Sequence, residues 1–408
     1  MRHQGVIGRR TLALVAALAA VLGTVAVPAS AQTLRERLDR ALTVSGVSRA
    51  KTGAVALDLR SGRVVYGTHG TRSLEPASNQ KLAVSVAALQ RLGPGYRIPT
   101  EVLGTGSLSG TTWRGHIYLK GYGDPTLTRA KLWTLARAVR NQGIRRVTGR
   151  VFGDESYFDR RRTASGWRSS WYKIESPPLS ALVVDRARYD RRTVDEPALL
   201  AARLFRRSLR AAGVAVRRTA AVRAAPRTAV YLTRIRSRTT GGLVRKMNKM
   251  SDNFTAEVLV KHLGARFRGA GTTAAGMGVV RRVLDGRGVP LAGVRLSDGS
   301  GLSLYNRFTA RALMRLLTSA WQDAVVRRPL VASLPIAGVD GTLEDRMRRG
   351  PARGRVRAKT GTTSGASSLS GYVGSRYVFS ILQNGSRIPW ENARRAQDRF
   401  AQVLAGAL

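Results

Sequence analysis

Three short motifs in this chain contain the residue types that a serine acyl-transfer site requires. They are Ser78-Asn79-Gln80-Lys81, Ser251-Asp252-Asn253 and Lys359-Thr360-Gly361, in that order along the sequence. A serine hydroxyl is a weak nucleophile unless a base lies within hydrogen-bond reach. Residues three positions apart share one face of a helix, so the amine of Lys81 can lie beside the hydroxyl of Ser78. The motifs therefore predict covalent catalysis by Ser78, with Lys81 as its base.

The base in this arrangement has to be a side chain that can lose its proton. Burial and nearby positive charge lower a lysine pKa until the free amine is a useful base, whereas the arginine pKa stays above ~12. Among the 70 Lys and Arg residues only nine are lysine, and Lys81 and Lys359 are two of them. A further Lys-Thr-Gly begins at Lys51. We exclude it because it precedes the nucleophile and opens the predicted strand 54–59.

The sequence lacks the residues that other kinds of catalytic site need. Cysteine is absent, which excludes disulfides, a thiol nucleophile and a thiolate metal site. The four histidines, His3, His69, His116 and His262, form no zinc-binding H-E-x-x-H pattern and no evident Ser-His-Asp set. We predict that His262 lies at the surface or at a helix terminus. No metal and no cofactor are expected.

The first 31 residues have the pattern of a secretory signal sequence. Arg2, Arg9 and Arg10 form a basic start, residues 12–27 an apolar stretch, and Ala29-Ser30-Ala31 a cleavage site. We expect export to the periplasm, the cell wall or the extracellular space. An uncleaved membrane anchor is the alternative, but the apolar stretch is near the short limit of ~17 residues for spanning a bilayer.

The formal net charge of +46 indicates affinity for polyanions. Neither a zinc-finger spacing nor an aromatic RNP-type run is present, so specific nucleic-acid binding is not expected. Two readings stay open. The charge reflects a compositional bias with arginines on solvated faces, or it provides weak binding to anionic wall polymers.

Apolar spacing and turn residues predict the elements that carry the motifs. Before residue 97, these patterns predict a helix over 34–42, a hairpin of 53–59 with 64–66, and a helix starting at Ser78 and continuing over 82–92. After residue 236, they predict helices on both sides of the second motif, strands over 355–359, 368–373 and 377–383, and a closing helix over 392–404. Residues 97–236 contain short strands with glycine-rich turns and two helices. They therefore predict an inserted α+β domain.

An early hairpin that pairs with late strands, with helices between, predicts an α/β sandwich in which helices pack on an antiparallel sheet. We expect a signal sequence over 1–31, a catalytic domain from 32–96 and 237–408, and the inserted domain over 97–236. The insert is predicted to pack separately and to supply no catalytic group. Its carboxylates Asp124 and Asp154 are predicted turn residues.

With these motifs in this order, the chain resembles the D-alanyl-D-alanine carboxypeptidase/endopeptidase family of class C low-molecular-mass penicillin-binding proteins. Further stretches carry the resemblance: residues 123–128, 298–303 and 337–343. It covers most of the chain after the signal sequence. The family implies a penicillin-binding/serine β-lactamase-like fold with a domain inserted between the first two motifs. It also implies peptidoglycan stem peptides ending in D-Ala-D-Ala as substrates and β-lactams as covalent inhibitors.

The resemblance also implies a role for each motif residue. Ser78 would attack the carbonyl while Lys81 takes its proton. Ser251, helped by Lys359, would relay a proton to the leaving amine, and Asn253 would hold the substrate amide. The remaining substrate-binding positions, which would bind the terminal carboxylate and line the oxyanion site, are Thr360, Gly361 and Thr362.

Two rival functions use the same residues differently. A β-lactamase needs rapid deacylation, which class A enzymes obtain from a loop glutamate. Between Phe254 and Gly341 the only glutamate is Glu257, so that base is expected to be missing. A catalytically silent wall-binding module would not need the intact set of reactive residues.

Overall fold

The computed structural model describes residues 32–408. The predicted signal sequence, and its alternative as a membrane anchor, lie outside this range. In the part of the chain that is described, no helix has the length and apolar character needed to cross a membrane.

Residues 32–408 contain ten α-helices and fourteen β-strands. The helices are α1 (Leu34–Ala41), α2 (Gln80–Leu92), α3 (Arg129–Asn141), α4 (Pro197–Ala211), α5 (Thr240–Lys249), α6 (Asn253–Arg268), α7 (Thr273–Gly286), α8 (Ala310–Gln322), α9 (Ala324–Ser333) and α10 (Trp390–Ala405). The strands are β1 (Thr52–Asp58), β2 (Val64–Thr68), β3 (Arg97–Ser109), β4 (Thr112–Gly121), β5 (Arg146–Val147), β6 (Val151–Asp154), β7 (Arg188–Tyr189), β8 (Arg192–Thr193), β9 (Ala215–Val216), β10 (Ala221–Val222), β11 (Val230–Thr239), β12 (Val356–Thr362), β13 (Ala366–Val373) and β14 (Tyr377–Asn384).

A five-stranded antiparallel sheet joins the two ends of the chain. Its strand order is β12-β13-β14-β1-β2, so the early hairpin pairs with the late strands as predicted. Both faces of β1 are buried, which explains why its sequence is almost continuously apolar. Val55 and Leu57 face a core with the central helices, while Ala54 and Ala56 face a second core with α1 and α10. The predicted α/β sandwich is confirmed.

Residues 97–236 carry most of a second sheet, which is seven-stranded. Its main path is β10-β6-β4-β3-β11, with antiparallel and parallel pairings together. Helices α3 and α4 pack on this sheet through an apolar core of their own, which includes Val102, Ile117 and Phe205. The two predicted turn carboxylates accept backbone N–H groups two residues on, Asp124 from Thr126 and Asp154 from Ser156. That residues 97–236 fold as an independent domain stays a prediction.

Two local expectations are corrected. Ser78 belongs to a 3-10 turn (Ala77–Asn79) that leads into α2, and is not the first residue of the α-helix itself. His262 is only 1% exposed, because α6 continues to Arg268 and is covered by other residues. The ring nitrogens of His262 lie 3.2 Å from the hydroxyl of Tyr96 and 2.8 Å from the carbonyl oxygen of Tyr122. Burial lowers the pKa of His262 to about 4.

Candidate active site

The turn that carries Ser78 is fixed to the edge of the five-stranded sheet. Nδ2 of Asn79 donates hydrogen bonds to the carbonyl oxygen of Lys359 (3.1 Å) and to Oγ of Ser368 (2.6 Å). Ala77 has a φ of +46°, a conformation that costs a non-glycine residue free energy and is common where function constrains the backbone. Ser78 itself is half-buried, so its hydroxyl is held in place yet remains accessible.

The amine of Lys81 lies next to the hydroxyl of Ser78 and is enclosed by protein. Its side chain is fully buried. Nζ lies 2.9 Å from Oγ of Ser78 and 2.7 Å from Oδ1 of Asn253, and it also donates to the carbonyl oxygen of Ser300. Burial lowers the pKa of Lys81 to about 8, although nearby carboxylates oppose this shift. The amine therefore has the position and the pKa of a base for Ser78.

The second motif lies between α5 and α6. Ser251 has a φ of +54°, which turns the chain so that its hydroxyl faces the third motif. Nζ of Lys359 donates to Oγ of Ser251 at 2.9 Å and to the carbonyl oxygen of Thr360 at 2.8 Å. Lys359 is fully buried, and burial together with the charge of Lys81 holds its pKa well below the usual range. The two lysines thus face the two motif serines.

The third motif lies on β12, at the edge of the sheet. The strand continues to Thr362, three residues beyond the predicted end. A Cβ at Gly361 would lie 2.2 Å from Oγ of Ser368 and 3.0 Å from the backbone nitrogen of Ser78. Only glycine lets the edge strand approach the nucleophile this closely.

A cleft of about 480 Å³ connects the three motifs. Six of the eight predicted site residues line it: Ser78, Ser251, Asn253, Thr360, Gly361 and Thr362. The other two, Lys81 and Lys359, are buried next to it and contact the two serines. A larger cavity of about 700 Å³ between residues 159–165 and α7 contains no serine–lysine pair, so volume alone does not identify the site.

The cleft also contains residues that the sequence did not point to. Nδ2 of Asn253 donates to the carbonyl oxygen of Glu175 at 3.0 Å, and Glu175 lines the cleft from the segment that was predicted to supply no catalytic group. Arg346 lines another part of the wall and is held by the carboxylate of Asp398. No motif marks these residues. Thr342, whose hydroxyl lies 2.7 Å from that of Thr360, falls in the stretch 337–343 that the sequence did single out.

Asp252, the middle residue of the second motif, is held in place by Arg186, which belongs to residues 97–236. The guanidinium of Arg186 donates three hydrogen bonds of 2.8 to 3.0 Å to the largely buried carboxylate of Asp252. Burial by itself would raise the pKa of Asp252, but the hydrogen bonds and charge of Arg186 outweigh it, and the pKa is lowered. Such a bidentate pair fixes geometry as well as charge.

Metal-ligating side chains are not clustered in the part of the chain that the structure describes: residues 32–408 contain no group of three or more His, Asp or Glu side chains that could hold a metal ion. The cleft and the side chains buried beside it contain the hydroxyls of Ser78 and Ser251 and the amines of Lys81 and Lys359. Two serine–lysine pairs in one cleft can move a proton from a nucleophile and return one to a leaving group.

Comparisons with known proteins show which family the chain is similar to. The sequence model of the family described as D-Ala-D-Ala carboxypeptidase 3 (S13) matches residues 34–193 and 187–406. The chain is 33% identical to a D-alanyl-D-alanine carboxypeptidase of Actinomadura sp. (strain R39), over 91% of this chain and 84% of that relative. Similarity thus extends over the motif-bearing parts and over residues 97–236.

Two solved structures share the fold. Penicillin binding protein 4 (dacB) from Haemophilus influenzae matches with a TM-score of 0.80 and 22% identity, over 91% of this chain and 98% of that one. A predatory endopeptidase from Bdellovibrio bacteriovorus, acylated by penicillin G, matches with a TM-score of 0.51 and 16% identity, over 87% of this chain and 90% of that one.

Proposed function

The chain belongs to the D-Ala-D-Ala carboxypeptidase 3 (S13) family and is a serine-type carboxypeptidase, and we propose that it cleaves peptidoglycan stem peptides through an acyl-enzyme on Ser78. The observation that carries this proposal is the fully buried amine of Lys81, 2.9 Å from the Ser78 hydroxyl. A neutral amine at that distance can take the hydroxyl proton as the oxygen attacks a carbonyl.

In the acylation step, Oγ of Ser78 forms a bond to the carbonyl carbon of the penultimate D-Ala, and its proton passes to Lys81. Negative charge develops on the carbonyl oxygen. The backbone N–H groups of Ser78 and Thr362 are the proposed donors to it, and each such donor stabilises the transition state by on the order of 3 kcal/mol. The close approach of β12 to the Ser78 backbone at Gly361 supports this assignment.

The leaving amine needs a proton when the peptide C–N bond breaks. Ser251 is the proposed relay: it gives its hydroxyl proton to the leaving amine and regains the proton that Lys81 took from Ser78, while Lys359 holds the Ser251 hydroxyl through their 2.9 Å hydrogen bond. Asn253 would hold the substrate amide, while Thr360 and Thr362 would bind the terminal carboxylate near Lys359. Terminal D-alanine then leaves, and water hydrolyses the ester on Ser78.

β-Lactams would also form an ester on Ser78, but the amine released by ring opening would stay attached to the acyl group. They would inhibit the enzyme if water reacts slowly with this ester. Glu257, the only glutamate between Phe254 and Gly341, is fully buried, and its Oε1 accepts two backbone N–H groups. Glu175, however, brings a carboxylate into the cleft beside Asn253. A β-lactamase that uses Glu175 to activate water is therefore the second candidate function.

Export and the wider substrate range belong to the same proposal. The pattern of residues 1–31 supports export to the periplasm, the cell wall or the extracellular space. Endopeptidase cleavage of peptidoglycan cross-links is proposed alongside carboxypeptidase activity, because both reactions can proceed through the same serine ester. The net charge of +46 supports weak binding to anionic wall polymers.

Release of D-alanine from a peptide ending in D-Ala-D-Ala tests the proposed function. The wild type should release it, the Ser78→Ala variant should not, and Ser61→Ala, in the β1–β2 turn, should behave as wild type. Persistent D-alanine release by Ser78→Ala would refute the assignment.

The lifetime of a fluorescent penicillin adduct then decides between the two candidates. A long-lived adduct supports the carboxypeptidase, and rapid turnover that Glu175→Gln abolishes supports the β-lactamase. Absence of any adduct would instead indicate a binding module.

A further inference from the structure

Glu257 is a buried carboxylate that none of the proposed steps uses. It lies on α6, one helical turn after Asn253, and is fully buried. Its Oε1 accepts the backbone N–H groups of Gly299 (3.0 Å) and Ser300 (2.7 Å), whereas Oε2 has no hydrogen-bond partner among residues 32–408. A buried polar atom without a partner costs free energy. A carboxylate at this position therefore needs a role that offsets the cost.

Glu257 holds the N–H side of Ser300, and the carbonyl of Ser300, which belongs to the next peptide, contacts the proposed base. The N–H of that next peptide, on Gly301, donates to Asp298. The carbonyl oxygen of Ser300 accepts a hydrogen bond from Nζ of Lys81, and Oγ of Ser78 lies 3.4 Å from the same oxygen. Asn253, on the same helix as Glu257, binds the Lys81 amine through its own Oδ1. Helix α6 thus reaches the amine by two routes, one direct, through Asn253, and one through the backbone of Ser300 on both sides of its Cα.

The loop of residues 298–303 has little freedom to move by itself. The carboxylate of Asp298 accepts the backbone N–H groups of Gly301 and Ser303, both at 2.8 Å. Gly301 has a φ of +86°, and a Cβ there would lie 2.0 Å from the carbonyl oxygen of Ala77, next to the nucleophile. The loop is therefore confined between α6 and the Ser78 turn, so a displacement at Glu257 would move the Ser300 carbonyl.

The direction of the Lys81 lone pair depends on that carbonyl. A neutral amine has two N–H donors and one lone pair. When the two donors bind Oδ1 of Asn253 and the oxygen of Ser300, the lone pair is left for the hydroxyl of Ser78. Without the Ser300 carbonyl the amine could rotate and donate to the hydroxyl, which would not remove its proton.

We propose that Glu257 is a positioning residue for acylation: by accepting the N–H groups of Gly299 and Ser300, it aims the Ser300 carbonyl at the Lys81 amine and so orients the base toward Ser78. This inference rests on the proposed acyl-enzyme mechanism. Glu257 contacts no substrate and acts only through Ser300.

Two conservative variants separate positioning from a simple charge effect. Burial raises the pKa of Glu257 to about 8, so the variants are compared above that pH, where the wild-type carboxyl is charged. Glu257→Gln removes the charge but keeps an oxygen at the Oε1 position, so it should acylate within a few fold of wild type. Glu257→Asp keeps the charge but withdraws the carboxylate by one methylene, so its acylation rate constant should fall roughly 100-fold, as expected for a misplaced catalytic group. Initial non-covalent binding of the penicillin should change little in either variant. A purely electrostatic role predicts the opposite order of the two variants.

Asp154→Ala provides the matched structural control. Asp154 is also fully buried and also holds two backbone N–H groups, those of Ser156 and Ala225, each at 2.9 Å. It lies on β6, in the second sheet. Asp154→Ala should lower the melting temperature without slowing acylation, which shows that lost stability alone does not produce the kinetic effect.

The wild type is measured first, with fluorescent penicillin and mapping of the adduct. If no adduct forms on Ser78, the proposed function is wrong. That result is distinct from a failure of the Glu257 assignment, which is tested only once the Ser78 adduct is found. Given the Ser78 adduct, the assignment is overturned if Glu257→Asp acylates at the wild-type rate, if Glu257→Gln is as slow as Glu257→Asp, or if Asp154→Ala slows acylation equally. If Glu257→Asp does not fold, the test uses Glu257→Gln alone. A folded Glu257→Gln variant that acylates slowly overturns the assignment, and one that acylates at close to the wild-type rate supports it.

Discussion

Lys81 and Lys359 are fully buried, and among the residues described neither forms a salt bridge with a carboxylate. Burial of an amine without a direct counter-ion favours its neutral form, which is why both pKa values are lowered. The neutral form of Lys81 is the one that can act as a base. For Lys359, the hydrogen bond to Ser251 is the feature that fits a proton relay.

The pH dependence of acylation follows from the Lys81 pKa. Because the amine is free only above its pKa, and burial lowers that pKa to about 8, the rate constant should rise with pH and level off above about 8. Below that value it should fall in proportion to the free-amine fraction. The measurement is the second-order rate constant of penicillin acylation across this range. A rate that is constant through pH 8, or that rises only near the ordinary lysine pKa of about 10.4, would contradict the assignment.

Replacing Lys81 with a permanent cation removes the free amine from the site. Lys81→Arg keeps the charge but cannot provide a free amine, so acylation should fall by about 10²- to 10⁴-fold, the usual contribution of a general base. The control is Lys131→Arg, because Lys131 is half-buried and paired with Asp124 away from the cleft. It should acylate as wild type does. Wild-type acylation by Lys81→Arg would remove lysine from the base role.

At the scale of elements, the turn between α5 and α6 depends on a strained segment within residues 97–236. Three consecutive residues, Asp185, Arg186 and Ala187, have φ between +48° and +58°. Each such conformation costs about 1–2 kcal/mol in a non-glycine residue. The segment places the Arg186 guanidinium on Asp252, directly after Ser251. The strain is therefore coupled to the geometry of the second motif.

Removing this guanidinium should affect both stability and acylation. Arg186→Leu leaves the Asp252 carboxylate buried and unpaired, which should lower the free energy of unfolding by about 1–3 kcal/mol and slow penicillin acylation. Adding Asp252→Asn should recover part of the stability, because the uncompensated charge is gone. Denaturant unfolding and acylation kinetics measure the two effects.

Arg376→Leu is the control for this pair. Arg376, in the turn between β13 and β14, binds Asp58 at the end of β1 at 3.0 Å, and the exposure of both side chains is similar to that of the Arg186–Asp252 pair. It should lose stability without losing acylation rate. An Arg186→Leu variant that is destabilised yet acylates normally would show that the pair is structural only.

The sequence predicted the elements that carry periodic apolar patterns or sequence motifs, and it missed contacts made across the fold. The hairpin, the late strands and the helices beside Ser251 were recognisable because their own residues show the pattern. Glu175 reaches the cleft, and Arg186 reaches Asp252, through loops whose path depends on how residues 97–236 pack, and no local pattern encodes that path. The burial of His262 was missed for the same reason, since distant residues, Tyr96 and Tyr122, cover it.

At the scale of the whole molecule, the positive charge should make binding to anionic polymers depend on salt. The Debye length falls from about 10 Å at 0.1 M ionic strength to about 3 Å at 1 M, so diffuse attraction should be lost over this range. Binding to poly-glutamate should weaken strongly with salt, binding to neutral dextran should be negligible throughout, and penicillin acylation should change little. Salt-independent binding to poly-glutamate would indicate a specific site instead of a diffuse field.

The arrangement of residues 97–236 limits how their role can be tested. Replacing the whole segment with a linker would also remove Glu175 from the cleft wall and Arg186 from Asp252. Loss of acylation in such a variant would therefore not show that the segment supplies a catalytic group. The point variants at Arg186 and Glu175 answer that question with the chain intact.

The position of the covalent adduct shows whether Ser78 is the nucleophile. The protein is treated with penicillin, digested and analysed by mass spectrometry, and we predict one adduct, on Ser78. Ser78→Ala should remain folded, because a small residue in this half-buried turn leaves the core unchanged, and it should carry no adduct. An adduct on Ser61 or Ser300 in the wild type, or undiminished labelling of Ser78→Ala, would contradict the account.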